Sequence, residues 1–253
     1  MLATEDLTIR FGGHAAVDGV TCAFEPGTLT AIVGPNGAGK TTYFNLISGQ
    51  LPATSGRVSL HGQDITGLSA PRRSKLGLGR AFQLTNLFPN LTALENVRLA
   101  VQVRHGNSLD LLSRVRGHRE LIDRAMEHLA AVSLAERAET VAATLPHGDQ
   151  RKLEVAILLA LEPDIFMFDE PTAGMSIDEV PTVLDIIAAI KERGDKTILL
   201  VEHKMDVVRS LSDRIVVLHQ GKLVADGRPA EVIASDIVRE AYLGGAADGA
   251  GHG

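Results

Sequence analysis

Leu29-Thr30-Ala31-Ile32-Val33, followed without a break by Gly34-Pro35-Asn36-Gly37-Ala38-Gly39-Lys40-Thr41-Thr42, decides how the rest of the chain is read. The first five residues are a short apolar run of the kind that fills the centre of a parallel sheet, and the segment after Thr42 reads as a helix. A glycine-rich loop between strand and helix turns successive backbone N–H groups inward, where the positive end of the helix reinforces them. Such a loop binds phosphate. The spacing Gly-x-x-x-x-Gly-Lys-Thr is the P-loop pattern, and it stands in the strand-to-helix context that the chemistry needs. Lys40 is placed to reach the β and γ phosphates of a nucleotide, Thr41 to hold Mg²⁺ through its hydroxyl, and Thr42 to add a phosphate contact.

Working outward, Ile165 to Phe168 and Thr197 to Val201 are apolar runs of the same kind, and Ile215 to Leu218 is a fourth. Their alternation with longer helical patterns predicts an α/β fold around a largely parallel sheet. Val183, Ile186, Ile187 and Ile190 mark one face of a helix with Gly194 beyond its end, while Leu94 to Val103 and Ile122, Ala125, Met126 and Leu129 mark two more. No strand pattern stands out between about Gln83 and Arg151, so this stretch is expected to form an inserted helical lobe. Leu7 to Phe11, Val20 to Phe24 and Val58 to Leu60 suggest a small antiparallel sheet. The Gly/Ala-rich tail, Gly244 to Gly253, is expected to be disordered.

The other strand ends carry the rest of the chemistry. Ile165 to Phe168 runs into Asp169-Glu170, two carboxylates at the edge where parallel sheets place ligands. Asp169 is assigned to Mg²⁺, through water, and Glu170 to the attacking water as general base. His203 ends the third strand in Leu199-Leu200-Val201-Glu202-His203, where an imidazole N–H would sense a γ-phosphate. Gln83, between core and lobe, offers an amide to Mg²⁺ or to the water.

Composition excludes several classes. A hydrophobic fraction of 45% supports a sizeable core with no Trp and 4% aromatic residues, which excludes disorder as the main state. The longest apolar run, Val155 to Leu161, falls far short of the ~20 residues that cross a bilayer. Neither a membrane span nor a cleaved leader is expected. Lys and Arg number 25 against 31 Asp and Glu, a formal charge of -6, so no electrostatic footprint for nucleic acid is expected. The lone Cys22 fits a reducing compartment.

From about Leu2 to Leu243 the order of these motifs resembles the ATP-binding subunits of ABC transporters: P-loop, Gln83, a signature-like segment at 145 to 150, Asp169-Glu170, then His203. Phe88-Pro89-Asn90-Leu91-Thr92 with Glu95-Asn96-Val97, Asp169 to Met175, and Val201-Glu202-His203 are most similar to the branched-chain amino acid importers. The resemblance implies a P-loop NTPase fold with a RecA-like core (about 1–82 and 152–243), an antiparallel β subdomain and a helical lobe (about 83–151), one domain over 1–243. It implies an ATPase that uses ATP and Mg²⁺ and drives uptake, branched-chain amino acids first, through separate transmembrane permease subunits and indirectly an extracytoplasmic solute-binding protein. The chain would lie on the cytoplasmic face of the inner membrane. It also implies a homo- or heterodimer in which each ATP lies between one P-loop and the other subunit's signature, here Gly148, and an adenine site formed by Phe11 with Val17. Leu87, Phe88 and Pro89 are expected to face the permease.

Two segments depart from the family pattern. Leu145-Pro146-His147-Gly148-Asp149-Gln150 has Pro146 where most relatives have the signature serine, and Asp149 places a carboxylate beside the expected γ-phosphate. Asp149 is also positioned to cap a helix expected to begin near Gln150. Ser176 stands where many relatives have an aspartate in the loop after the carboxylates. Competing readings are an importer of other amino acids, amides or urea, an ABC ATPase outside transport that works on DNA or ribosomes, and a P-loop phosphotransferase. The last two lack, respectively, a second cassette or basic arm and an acceptor pocket.

Overall fold

Apolar residues at the N-terminus zip into a hairpin of β1 (Leu2–Phe11) and β2 (His14–Phe24), antiparallel, with Phe11 opposite His14 at the turn. The chain then enters β3 (Leu29–Val33) of another sheet before β4 (Ser55–Leu60) and β5 (Gln63–Asp64) complete an antiparallel sheet of order β2-β1-β4-β5. The computed structural model describes residues 1–81, 87–105 and 116–235. Gln83 and the tail at 244–253 therefore lie outside the described residues. The chain divides into two units, Met1–Leu78 with Asp164–Glu170 and Lys191 onward, and Gly79–Pro163 with Pro171–Ile190. This second unit takes in more of the chain than the stretch 83–151 expected for a helical lobe.

In the first unit, β3 is the centre of a second sheet. β8 (Thr197–Val201) and β9 (Arg214–His219) flank it in parallel, β7 (Ile165–Asp169) pairs parallel with β8, and β10 (Lys222–Gly227) closes the other edge antiparallel to β9. Every residue of β3, β7 and β8 is buried, which is why each reads as an unbroken apolar run. Helix α1 (Lys40–Ser48) packs Tyr43, Phe44, Leu46 and Ile47 into one core with Leu2, Leu7 and Phe24 of the antiparallel sheet and Ile32, Met167 and Leu199 of the parallel one. The helix that presents the P-loop is thus fixed by both sheets. Its C-terminus is held by Arg73 of α2 (Ala70–Lys75), a fully buried guanidinium that donates to the carbonyls of Leu46 (2.7 Å), Ile47 (2.6 Å), Thr66 and Leu68.

β6 (Leu78–Ala81) carries the chain into the second unit, whose helices are α3 (Ala93–Arg104), α4 (Arg116–Ala131), α5 (His147–Ala160) and α6 (Val180–Glu192). Thr92 caps α3 by accepting from the Glu95 N–H, and Asn96 Nδ2 donates to the carbonyls of Phe88 and Thr92 while its Oδ1 accepts from Phe88 N–H. The loop that displays Phe88 is therefore tied to the helix that follows. Phe88 is 55% exposed. Val183, Ile186, Ile187 and Ile190 form the buried face of α6, as their spacing predicts. The first unit ends with α7 (Met205–Leu211) and α8 (Pro229–Ala234). Arg98 of α3 pairs with Glu95 and Arg104 with Glu162.

Candidate functional site

Asn36 through Thr42 line a pocket of about 230 Å³ together with His14, Ala16, Glu170 and His203. Gly39, at φ 97°, stands at the N-terminus of α1, and a Cβ there would meet Ala16 O at 2.4 Å, so only glycine lets the hairpin and the loop touch. The first N–H groups of α1 have no acceptor within the helix and face the phosphate loop. Lys40 is buried, and its Nζ donates to Gly34 O (2.7 Å) and Pro35 O (2.9 Å), which hold the ammonium over its own loop. Burial pulls its pKa below the usual lysine range, opposed by the charges of Glu170 and Asp169.

Asp169 is the buried last residue of β7, and Glu170 leaves the strand with φ 53°, a left-handed conformation that costs a non-glycine residue ~1–3 kcal/mol. Its N–H still bonds Val201 O at 2.9 Å, so β8 holds the strained residue in place. Glu170 Oε1 meets His203 Nε2 at 2.6 Å. A carboxylate only accepts, so Nε2–H is the donor of this pair. The turn carrying His203 is set by Glu202, a buried carboxylate whose Oε2 accepts from the N–H groups of His203 (2.9 Å) and Lys204 (3.3 Å). A carboxylate and an imidazole thus stand in contact beside the glycine-rich loop, side chains of the kinds that can hold a water molecule by hydrogen bonds.

Phe11 is 54% exposed on the hairpin and does not line this pocket. Val17 is fully buried in the core, while Ala16 and His14 present the hairpin to the pocket instead. Glu202 and His14 were missed in the sequence. Glu202 adjoins His203 at a strand end, and His14 sits across the Gly12-Gly13 turn from Phe11, so each had a positional signal.

In the second unit, α5 begins at His147, not near Gln150, with Pro146 at its N-cap and no side-chain cap. Asp149 makes no cap. Its side chain is 9% exposed and paired with Arg137 (2.5 Å) and Lys152 (3.1 Å), so two cations offset the charge expected to repel phosphate. Ser176 lies in the turn before α6: its carbonyl accepts from the N–H groups of Glu179 (3.1 Å) and Val180 (3.2 Å), while Glu179 Oε2 accepts from Ser176 N–H (3.2 Å) and Oγ–H (2.9 Å). Those bonds draw the Glu179 carboxyl below its ordinary range, and the same carboxylate lies over Gly148, where a Cβ would meet it at 2.0 Å.

A P-loop on a parallel sheet, with two carboxylates and an imidazole at neighbouring strand ends, defines a nucleoside triphosphatase. Residues 17–173 match the family model for the ABC transporter, and residues 222–248 match that for the branched-chain amino acid ATP-binding cassette transporter. The chain belongs to the ABC transporter family and is one of its ATP-hydrolysing cassettes. It is 40% identical over 250 residues to the high-affinity branched-chain amino acid transport ATP-binding protein BraF of Pseudomonas aeruginosa, covering 96% of this chain and 98% of the relative. It is 38% identical to LivG of Escherichia coli K12, described in the same words, over 249 residues, with the same coverage. Among solved structures, a nucleotide-free ATP-binding cassette from an ABC transporter superposes with a TM-score of 0.81 at 28% identity, covering 96% of this chain and 98% of the other. The cassette MJ0796, dimeric in a post-hydrolysis state bound to ADP and Pi, gives 0.79 at 26% identity and covers 90% and 99%. Such relatives favour a transport ATPase over an ABC ATPase outside transport. Among the described residues no helix is long and apolar enough to cross a membrane.

Proposed function

We propose that this cassette couples ATP hydrolysis to uptake of amino acids, the branched-chain ones first, through separate permease subunits fed by a solute-binding protein. Its place is the cytoplasmic face of the inner membrane. The observation that carries the catalytic half is the 2.6 Å pair of Glu170 and His203 in the same pocket as the phosphate loop. Glu170 accepts a proton from the attacking water, His203 orients Glu170 and senses the γ-phosphate, and Lys40 with the loop N–H groups stabilises the charge that develops. Gln83 would complete the water and Mg²⁺ contacts. The transport half rests on the likeness to BraF and LivG over nearly the full chain.

Thr41 and Asp169 are hard oxygen donors of the type that Mg²⁺ prefers, and among the described residues no group of three or more His, Cys, Asp or Glu is gathered to cage a metal. These two residues would hold the ion beside a bound nucleotide. When bound, Mg²⁺ supplies neutralisation of phosphate charge. The dimer places Gly148 at a second subunit's nucleotide, with Phe11 at the adenine, and the exposed Phe88 between Leu87 and Pro89 docks the permease. One functional domain spans 1–243.

Glu170→Gln in the complex with its permease is expected to bind ATP normally and to lower turnover by about two orders of magnitude or more, as loss of a general base does. Near-normal phosphate release would reject Glu170 as the base.

A further inference from the structure

The strand that delivers the phosphate loop begins beside a second cavity. At the start of β3, Leu29 donates its N–H to Asp213 Oδ2 (2.9 Å) and accepts the Asp213 N–H at its carbonyl, just ahead of β9. Next to Asp213, between α7 and α8, lies a cleft of about 760 Å³ whose walls include Arg209, Arg228, Pro229, Ile233 and Ala234. It shares no lining residue with the phosphate pocket. Five residues of β3 at ~3.3 Å each put the two sites roughly 16 Å apart, at opposite ends of one strand.

The walls of the cleft divide by chemistry. Val208 of α7 and Val232 of α8 are buried in one core with Ala31 and Val33 of β3, and Ile233 packs against that core from its partly exposed edge. The apolar floor is thus continuous with the interior. Asp213 already has its counter-charge, since Oδ1 pairs with Lys191 Nζ at 2.7 Å. Arg209 and Arg228 have none: neither guanidinium makes an ion pair or a side-chain hydrogen bond among the described residues. The charge left facing the cleft is positive, on two groups whose flat forks match the two oxygens of a carboxylate. We propose that this cleft is a second ligand site, which binds an aliphatic carboxylate anion independently of the nucleotide. The carboxylate is held by Arg209 and Arg228, and the hydrocarbon body rests on Pro229, Ile233 and Ala234. An ammonium on the same carbon skeleton meets two like charges, so the site selects an anion over a zwitterion.

Calorimetric titration of the full chain with isocaproate tests this. Arg209→Met and Arg228→Met keep most of the apolar stem and are each expected to weaken binding about tenfold, the effect of losing a charge-assisted hydrogen bond, with ADP bound as before. Acetate and inorganic phosphate, which lack the hydrocarbon body, are expected to bind roughly tenfold or more weakly than isocaproate. L-leucine, the same skeleton with an ammonium, is expected to bind severalfold more weakly. Saturating ADP is expected to leave isocaproate affinity within about twofold of its value without nucleotide. No binding of isocaproate up to about 10 mM, unchanged affinity in both arginine variants, or acetate or phosphate binding as tightly would overturn the site. So would displacement by ADP, which would put the ligand in the phosphate pocket, or tighter binding of leucine, which would make Asp213 and not the arginine pair the selecting group.

Discussion

The residue on which the hydrolytic geometry turns is Glu202 rather than one of the groups that face the pocket. Its buried carboxylate accepts two successive backbone N–H groups and so fixes the turn from which His203 reaches Glu170. A charge-assisted hydrogen bond contributes ~1.5–3 kcal/mol, and loss of the carboxylate removes the acceptor of both N–H groups. Glu202→Ala is expected to destabilise the chain by ~2–4 kcal/mol in urea unfolding and to lower ATP turnover about tenfold, with the KM for ATP changed far less. Glu202→Gln retains an acceptor oxygen and is expected to recover most of the turnover. If the glutamine variant is as slow as alanine, the negative charge and not the turn geometry is what matters. At this scale the grouping of Lys40, Glu170 and His203 around one pocket was legible because each lies beyond the end of a strand of one sheet. Glu202 was not, because an acidic residue before a functional histidine looks the same whether it faces solvent or folds back on its own backbone.

Helices and strands were read where burial imposes a period. β3 and β8 were located residue for residue, and β7 and β9 to within a residue at each end, since strands buried on both faces leave no room for polar side chains. β10 was not seen, because it lies at an edge and alternates less clearly. The start of α5 was placed late because Pro146 and His147 carry no side-chain cap, so the usual N-terminal signal is missing. That helix also shows what spacing cannot reveal: Asp149 is held by Arg137, twelve positions earlier by number, as well as by Lys152 one turn on. Since Arg137 is half exposed, the pair adds only ~1 kcal/mol or less to stability. Its effect is expected on the neighbouring signature instead. Arg137→Met leaves Asp149 less balanced and is expected to raise the KM for ATP of the assembled transporter about threefold to tenfold, and adding Asp149→Gln is expected to bring it back. A double variant no better than the single one would show that Arg137 acts on folding alone.

Across the whole molecule, a cassette with a complete phosphate loop carries a signature that lacks its serine, and the two facts meet only when ATP is shared with a second subunit. In the proposed dimer, Gly148 and the N-terminus of α5 approach the partner's γ-phosphate, and the hydroxyl usually present one residue pair earlier is replaced by the ring of Pro146. A hydrogen bond to a charged group contributes ~1.5–3 kcal/mol, so this chain supplies the weaker half of the composite site. Pro146→Ser restores the hydroxyl, but serine is also a good N-cap, which by itself stabilises a helix by ~0.5–2 kcal/mol. The two effects separate by measurement. If the hydroxyl serves the nucleotide, ATP turnover of the assembled complex rises about tenfold, whereas a cap alone raises the unfolding temperature of the isolated chain and leaves turnover where it was. Asn at 146 caps as well as serine does without offering the same hydroxyl, so Pro146→Asn is expected to reproduce the gain in stability and not the gain in rate. Equal rates in the serine, asparagine and native complexes would remove the hydroxyl from the mechanism and leave the backbone of Gly148 as the trans contact.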